Sequence, residues 1–318
     1  MERWDKYIKS SGMIETAVKI LDQINKLGYE AYIVGGAVRD IYLGNKPHDI
    51  DIATNMPIEH ISKLYKVHDV GKSFDFGIVV INLDGHSFEI AQFRQDGTYS
   101  DGRRPDSVKI CQTFKGDAAR RDFCFNAMAI NSKGDVIDYF DGRKDIINKQ
   151  VRTVGNPDDR FKEDNLRLLR AVRFASKLGY DIHPDTKKSI IKNKGGVAGL
   201  SPERIYQEII KMAFKKGDKF ADAISMLDEV GILQIILPEV VKLKEFKHSE
   251  EDHPEGDPWE HTLAALKRNN LANPIINLSI LFHDLGKVTT YQKIDGKHTF
   301  HGHAKASKEI IDAIADRL

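Results

Sequence analysis

The run Val34-Gly35-Gly36-Ala37-Val38-Arg39-Asp40, followed closely by His48-Asp49-Ile50-Asp51-Ile52, constrains this chain more than any other segment. The stretch from Glu30 to Val34 reads as a short strand that breaks at two glycines into a helix start. The next apolar segment carries two aspartates two residues apart. On a strand, positions i and i+2 share a face, about 6.6 Å apart along the chain. Carboxylates placed this way can share a pair of divalent cations, the clamp that phosphoryl transfer uses on attacking and leaving oxygens. Glycines let backbone N–H groups approach a phosphate, and the helix behind them offers its positive end. Alone, Asp49-x-Asp51 is equally a solvated strand end and Gly35-Gly36 a tight turn. Adjacent, they read as a site for a nucleoside triphosphate and Mg²⁺, with Asp49 and Asp51 as ligands.

The length of 318 residues suits two domains or more. Lys and Arg number 48 against 47 Asp and Glu, a net charge of +1, so any nucleic-acid contact must come from local patches. Cys111 and Cys124 form no C-x-x-C pair, which argues against a zinc finger or disulfide scaffold. The start, Met-Glu-Arg-Trp-Asp-Lys, is too charged for a signal peptide, and no apolar run approaches membrane-spanning length. A soluble, cytoplasmic protein without membrane contact is expected.

Ile14, Ala17, Val18, Leu21, Ile24 and Leu27 recur at helical spacing before the first strand. Asn55-Met56-Pro57 predicts a helix through about Leu64. Gly77–Leu83 and Ser87–Gln92 read as strands joined at Asp84-Gly85, a hairpin signal. Gln95 to Asp106 is polar and reads as a mobile loop. Strands at Ala127–Ile130 and Val136–Tyr139 flank the turn at Lys133-Gly134. This order predicts an α+β fold with hairpins in residues 1–145 and not a doubly wound parallel sheet. Beyond about Asn156-Pro157 the pattern is almost continuously helical. Asp158 to Leu178 reads as one long helix, Ser201-Pro202-Glu203 and Asp257-Pro258-Trp259-Glu260 as helix starts. The helical segment from Ala304 to Leu318 stops without a capping signal. That reads as a truncated chain, with a naturally short one as the alternative.

Three further clusters bear chemistry. Glu89 supplies a third carboxylate if its strand lies beside the aspartate strand. Arg120-Arg121-Asp122-Phe123-Cys124-Phe125-Asn126 places two arginines where they can hold triphosphate oxygens bidentately. Asp122 and Asn126, at i and i+4, brace one another or a ribose. Asp164, Arg167, Arg170 and Arg173 step by three along the predicted helix as an inclined ridge. Asp164 with Arg167 then presents an acceptor and a fork of donors suited to a nucleobase edge. A salt-bridged, solvated helix face is the competing reading.

These motifs, with Phe93-Arg94-Gln95-Asp96, Tyr99-Ser100-Asp101-Gly102-Arg103-Arg104-Pro105 and the hinge-like Phe140-Asp141-Gly142, come in an order that resembles the class II CCA-adding tRNA nucleotidyltransferases and the related bacterial poly(A) polymerases. The resemblance spans about residues 25 to 215. It implies a polymerase-β-like mixed sheet with helices in a catalytic head (1–145), a helical, nucleobase-binding neck (146–215) and a helical body (216–318). It implies that Asp49 and Asp51 hold catalytic Mg²⁺. Gly36, Arg39 and Arg121 then contact the phosphates or sugar, and Asp164 and Arg167 hydrogen-bond cytosine or adenine. Arg170 and Arg173 complete the nucleotide site, and Gln95–Pro105 is the loop linked to switching from C to A addition. The implied partners are tRNA, CTP and ATP. CCA addition, A addition only and polyadenylation share every one of these motifs.

Near the end, His261, then Leu281-Phe282-His283-Asp284-Leu285-Gly286-Lys287, resembles the HD metal-dependent phosphohydrolase domain, as does His253-Pro254-Glu255-Gly256-Asp257. His261, His283 and Asp284 form a possible second metal site there. The family's last aspartate is not reached, and His301 or His303 is the available substitute. The body is therefore expected to carry an incomplete HD-like fold. A phosphohydrolase is the alternative function of a different class.

Overall fold

The structure is a computed structural model that describes residues 4, 8, 11–68, 77–97, 107–245, 257–294 and 297–318. The chain divides into two compact units, Met1–Glu163 and Asp164–Leu318.

The first unit is built on a mixed sheet. Helix α1 (Gly12–Lys26) buries Ile14, Ala17, Ile20, Leu21 and Ile24. It precedes β1 (Ala31–Val34), α2 (Gly36–Tyr42), β2 (Asp51–Thr54) and α3 (Ile58–Leu64). Then come β3 (Val67–His68), β4 (Ile78–Leu83), β5 (His86–Gln92), β6 (Arg94–Asp96) and β7 (Val108–Ile110). Helix α4 (Phe114–Ala119), β8 (Ala129–Ile130), β9 (Val136–Ile137), α5 (Gly142–Ile147), β10 (Gln150–Val151) and α6 (Pro157–Glu163) close the unit. The seven-stranded sheet has the order β3-β4-β5-β2-β1-β8-β9. Only β2 and β5 run parallel among these neighbours. The α+β expectation is met.

Local chemistry explains the elements found where predicted. Asp84 and Gly85 hold φ of 50° and 78°, the two positive values of a type I′ turn, so β4 and β5 join in the tightest hairpin. The cross-strand row Ile33–Ile52–Ile90 is wholly buried. The neighbouring row Val34–Asp51–Glu89 shares the opposite face with Ala53, above a core that includes Phe93, Phe114, Cys124 and Ala127.

Four expectations are corrected. Asp51 opens β2, and Asp49 precedes that strand instead of lying in it. Gln95 and Asp96 belong to β6, which pairs with β7, because two short extended segments satisfy each other's backbone groups. Residues 98–106 of the expected loop, and 253–256 of the HD-like entry, lie outside the described residues. The helix predicted over 158–178 is two helices, α6 and α7 (Leu166–Leu178). The Asp164 carboxylate accepts from Leu166 N–H at 3.0 Å and its carbonyl accepts from Arg167 N–H at 3.0 Å. Asp164 thus caps the start of α7 and is not on the helix, which ends the four-residue ridge at three. A ribbon of β12 (Gln292–Ile294) and β13 (Lys297–Thr299) also interrupts the expected helical tail.

Among the described residues, the second unit is helical apart from that ribbon and β11 (Asp181–Ile182). It contains α8 (Pro184–Asn193), α9 (Pro202–Ala213), α10 (Gly217–Glu229), α11 (Leu233–Ile236) and α12 (Pro238–Val241). After these come α13 (Pro258–Arg268), α14 (Pro274–Phe282), α15 (Lys287–Thr290) and α16 (His303–Arg317). Asp257 accepts from Glu260 N–H at 2.8 Å, the predicted cap of α13. Buried Asn277 donates to the carbonyls of Ala213 at 2.9 Å and Lys215 at 2.8 Å, and so fastens α14 to the end of α9. Gly217 sits where a Cβ would come within 2.0 Å of Leu266 O, so glycine is required for this approach of α10 to α13. Among the described residues, no helix is long and apolar enough to cross a membrane.

Candidate functional site

The first unit gathers its charged residues around the glycine turn. Gly35 takes φ 71° and ψ −139°, a conformation essentially restricted to glycine. A Cβ built on it would stand 3.6 Å from Asp51 Oδ2 and 3.7 Å from Arg121 Nη1, so the turn lies between an acid and a base. Antiparallel pairing sets Val34 opposite Asp51, and parallel pairing sets Glu89 beside Asp51. Burial, then Glu89, then Asp49 raise the Asp51 carboxyl to about 6, against the lowering influence of Arg121. Three crowded carboxylates of this kind are relieved by a proton or a cation, and an all-oxygen donor set suits a hard divalent ion. The donor chemistry of these residues fits a divalent cation.

Asn126 links the basic side chains. Its Oδ1 accepts from Arg39 Nη1 at 3.0 Å, and its carbonyl accepts from Arg121 Nη1 at 3.5 Å. Its amide donates to Asp122 Oδ1 at 3.5 Å, the expected i, i+4 brace. Arg39 is 3% exposed, pairs with Asp40 at 2.8 Å and lies beside Gly36, so it backs the turn from within. Arg120 and Arg121 share one buried acid, Asp117, at 2.6 Å and 2.9 Å. Burial alone would raise the Asp117 carboxyl, but Arg121 and Arg120 together hold it below the usual range. Asp117, on α4, was not singled out by the sequence reading, although its i+3 and i+4 spacing to the two arginines just past the end of that helix is a usable signal.

In the second unit, Asp164 pairs with Arg204 at 3.2 Å, a partner forty positions away with no local signature. Arg204 Nη1 is buried without a hydrogen-bond partner among the described residues, a spare donor beside that acid. Arg167 is nearly buried. Arg170 and Arg173 both lie over the Phe174 ring, at 5.3 and 4.3 Å, and Arg173 Nε donates to buried Glu208 at 2.5 Å. Arg170 and Arg173 therefore share one ring, and Arg173 also reaches a buried carboxylate.

The later histidines also converge. His261, on α13, and His283-Asp284, after α14, bring one ligand atom each to within 4.8 Å of one another. His283 Nε2 lies 3.1 Å and His261 Nε2 4.0 Å from Asp284 Oδ2. The Ile280 carbonyl, 2.7 Å from His283 Nδ1, can only accept, so Nδ1 carries a proton and Nε2 faces the acid. That arrangement suits an imidazolium or a cation shared with the acid, and it fits a metal centre. Pairing with Asp284 raises the His283 pKa; burial opposes it. Burial would raise Asp284, but His283 and Lys287 paired with it hold it well below the usual carboxylate range. His301 and His303 are not part of this group.

Residues 31–152 match the poly A polymerase head domain, and residues 179–243 match the probable RNA and SrmB-binding site of polymerase A. A CCA-adding enzyme of Geobacillus thermodenitrificans is 44% identical over 219 residues, covering 69% of this chain and 53% of that protein. The crystal structure of Bacillus stearothermophilus CCA-adding enzyme in complex with CTP superposes with a TM-score of 0.64 at 38% identity, over 70% of this chain and 53% of that one. A tRNA nucleotidyltransferase complexed with a primer tRNA and an incoming ATP analog gives 0.56 at 28% identity, over 77% of this chain and 73% of that one. The chain spans about half the length of the curated relatives it matches.

Proposed function

Because residues 31–152 and 179–243 of this chain belong to the poly(A) polymerase and CCA-adding nucleotidyltransferase family, we propose that the protein adds CCA, or its terminal A, to tRNA 3′ ends from CTP and ATP without a nucleic-acid template. The observation that carries this reading is the placement of Asp51 and Glu89 side by side at the Gly35 turn, facing Arg121. Asp49 and Asp51 are the residues that would hold Mg²⁺. Bound there, the ion would supply charge neutralisation as a 3′-hydroxyl, losing its proton, attacks the nucleotide α-phosphate and the α–β anhydride bond breaks to release pyrophosphate.

The chain's own groups do the rest. Gly36 leaves backbone N–H groups open to the phosphates, and Arg39, pinned by Asp40 and Asn126, keeps that turn rigid. Arg121, held by Asp117, offers its remaining donors to the triphosphate. Asp164 and Arg167 read the nucleobase edge, with Arg170 and Arg173 completing that site. In domain terms, residues 1–145 are the catalytic head, 146–215 the neck and 216–318 the body. Preorganised charge and positioning supply most of the acceleration.

Three tRNAs, lacking CCA, ending in C and ending in CC, each offered single labelled triphosphates, test this proposal. C, C and A added in turn support CCA addition. Label from ATP alone, and only on the CC end, assigns an A-adding enzyme; long A tracts on any end assign a poly(A) polymerase. No incorporation on any end overturns the reading. A second reading rests on the His261–His283–Asp284 cluster: a metal-dependent phosphohydrolase in the body. Nickel- or cobalt-dependent phosphate release that persists in His283→Ala would exclude it.

A further inference from the structure

The oxygen that faces both histidines of the second cluster is shared with a lysine. Lys287 Nζ lies 2.7 Å from Asp284 Oδ2, closer than either imidazole. Asp284 is 3% exposed, and a buried carboxylate without a positive partner is strongly unfavourable. Lys287 answers that need from three residues on, its side chain 12% exposed and its ammonium 5.6 Å from the centre of the Phe300 ring.

The segment between them is held tightly. Gly286 N–H donates to Ser307 Oγ at 2.8 Å, and Ser307 Oγ donates to the His283 carbonyl at 2.8 Å. A Cβ on Gly286 would fall 2.1 Å from the His303 carbonyl, so α16 presses directly on this turn. The lysine therefore starts from a fixed backbone and does not rely on a freely moving loop to reach the acid. A divalent cation that takes Asp284 Oδ2 together with His261 and His283 Nε2 must share that oxygen with the ammonium or expel it. Like charges so close repel strongly where solvent is scarce.

We propose that Lys287 is a built-in competitor for divalent cations at the His261–His283–Asp284 centre, neutralising Asp284 in the metal-free protein and lowering the centre's affinity for metal. The proposal rests on the reading of that cluster as a metal centre. Its chemical basis is the donor set of two imidazoles and one carboxylate, which suits a transition-metal dication.

Calorimetric titration of the untagged chain with Mn²⁺ or Ni²⁺ alone tests it. Asp49→Ala and Asp51→Ala in the same chain silence the head carboxylates. Lys287→Met is expected to bind one ion at least tenfold more tightly than the lysine protein, and Lys287→Arg to stay weak. His283→Ala should abolish this binding in both backgrounds. In chelator, Lys287→Met should melt below the lysine protein, and rising Mn²⁺ should reverse that order. Should the methionine variant not fold, Lys287→Gln, which keeps a polar head without charge, carries the same expectation. Equal or weaker binding without the lysine charge overturns the competitor role and leaves the metal centre standing. Binding in none of the variants overturns the centre and the proposal together.

Discussion

Replacing Asp51 by Asn separates what this residue does for chemistry from what it does to the fold. Burial and the neighbouring carboxylates Glu89 and Asp49 lift its pKa from 3.8 to about 6. A carboxyl with a higher pKa in the folded chain than in the unfolded one binds protons on folding, so its ionised form destabilises the native state. The penalty is absent below the unfolded value of 3.8, builds as pH rises, and is complete above about 6. Two pH units correspond to about 2.7 kcal/mol. Asp51 is nevertheless an exposed residue, and solvent screening reduces the expected gain to about 1 kcal/mol.

For a cooperative unit of this size, that is a rise in melting temperature of roughly 2–4 °C. Thermal denaturation in chelator should therefore show Asp51→Asn melting above the parent at pH 8 and converging with it towards pH 4. Mg²⁺ should raise the parent's melting temperature and leave the variant's nearly unchanged, while nucleotide incorporation falls to background. A variant that melts below the parent at pH 8, or a difference equal at both pH values, would refute the crowding of carboxylates. Equal Mg²⁺ stabilisation of both proteins would refute the role of Asp51 as a cation ligand.

Gly35→Ala forces a side chain into φ 71°, ψ −139°, so about 1–3 kcal/mol of stability and most of the nucleotide affinity should be lost; retained triphosphate binding would count against the turn. Asn277→Ala strands the Ala213 and Lys215 carbonyls and is expected to cost about 2–3 kcal/mol in denaturant unfolding, with an unchanged midpoint as the contrary result. Arg167→Ala should blur the choice between CTP and ATP more than it lowers total incorporation. Preserved selectivity in a competition assay would remove it from base recognition.

The features legible in the sequence are those whose cause is local. The Asp84-Gly85 hairpin follows from two residues that tolerate positive φ. The caps at Asp257 and the glycine turn at Gly35 follow from the conformations and hydrogen bonds those residues favour. The break before α7 was hidden because apolar periodicity runs on through Asp164, while its carboxylate captures the Leu166 N–H instead of allowing the helix to continue. Periodicity reports which face is apolar, not whether each backbone bond is made.

Sequence alone determined the identity and spacing of the acids, glycines and arginines, and the change from hairpins to helices along the chain. Only tertiary structure decided which of those groups meet. Parallel pairing of β2 with β5 brought Glu89 beside Asp51; Arg204 reached Asp164; and His261 came to face the Asp284 oxygen that Lys287 takes. Strand register and helix packing are set by burial over the whole fold, and a charged side chain takes the partner that burial leaves within its reach.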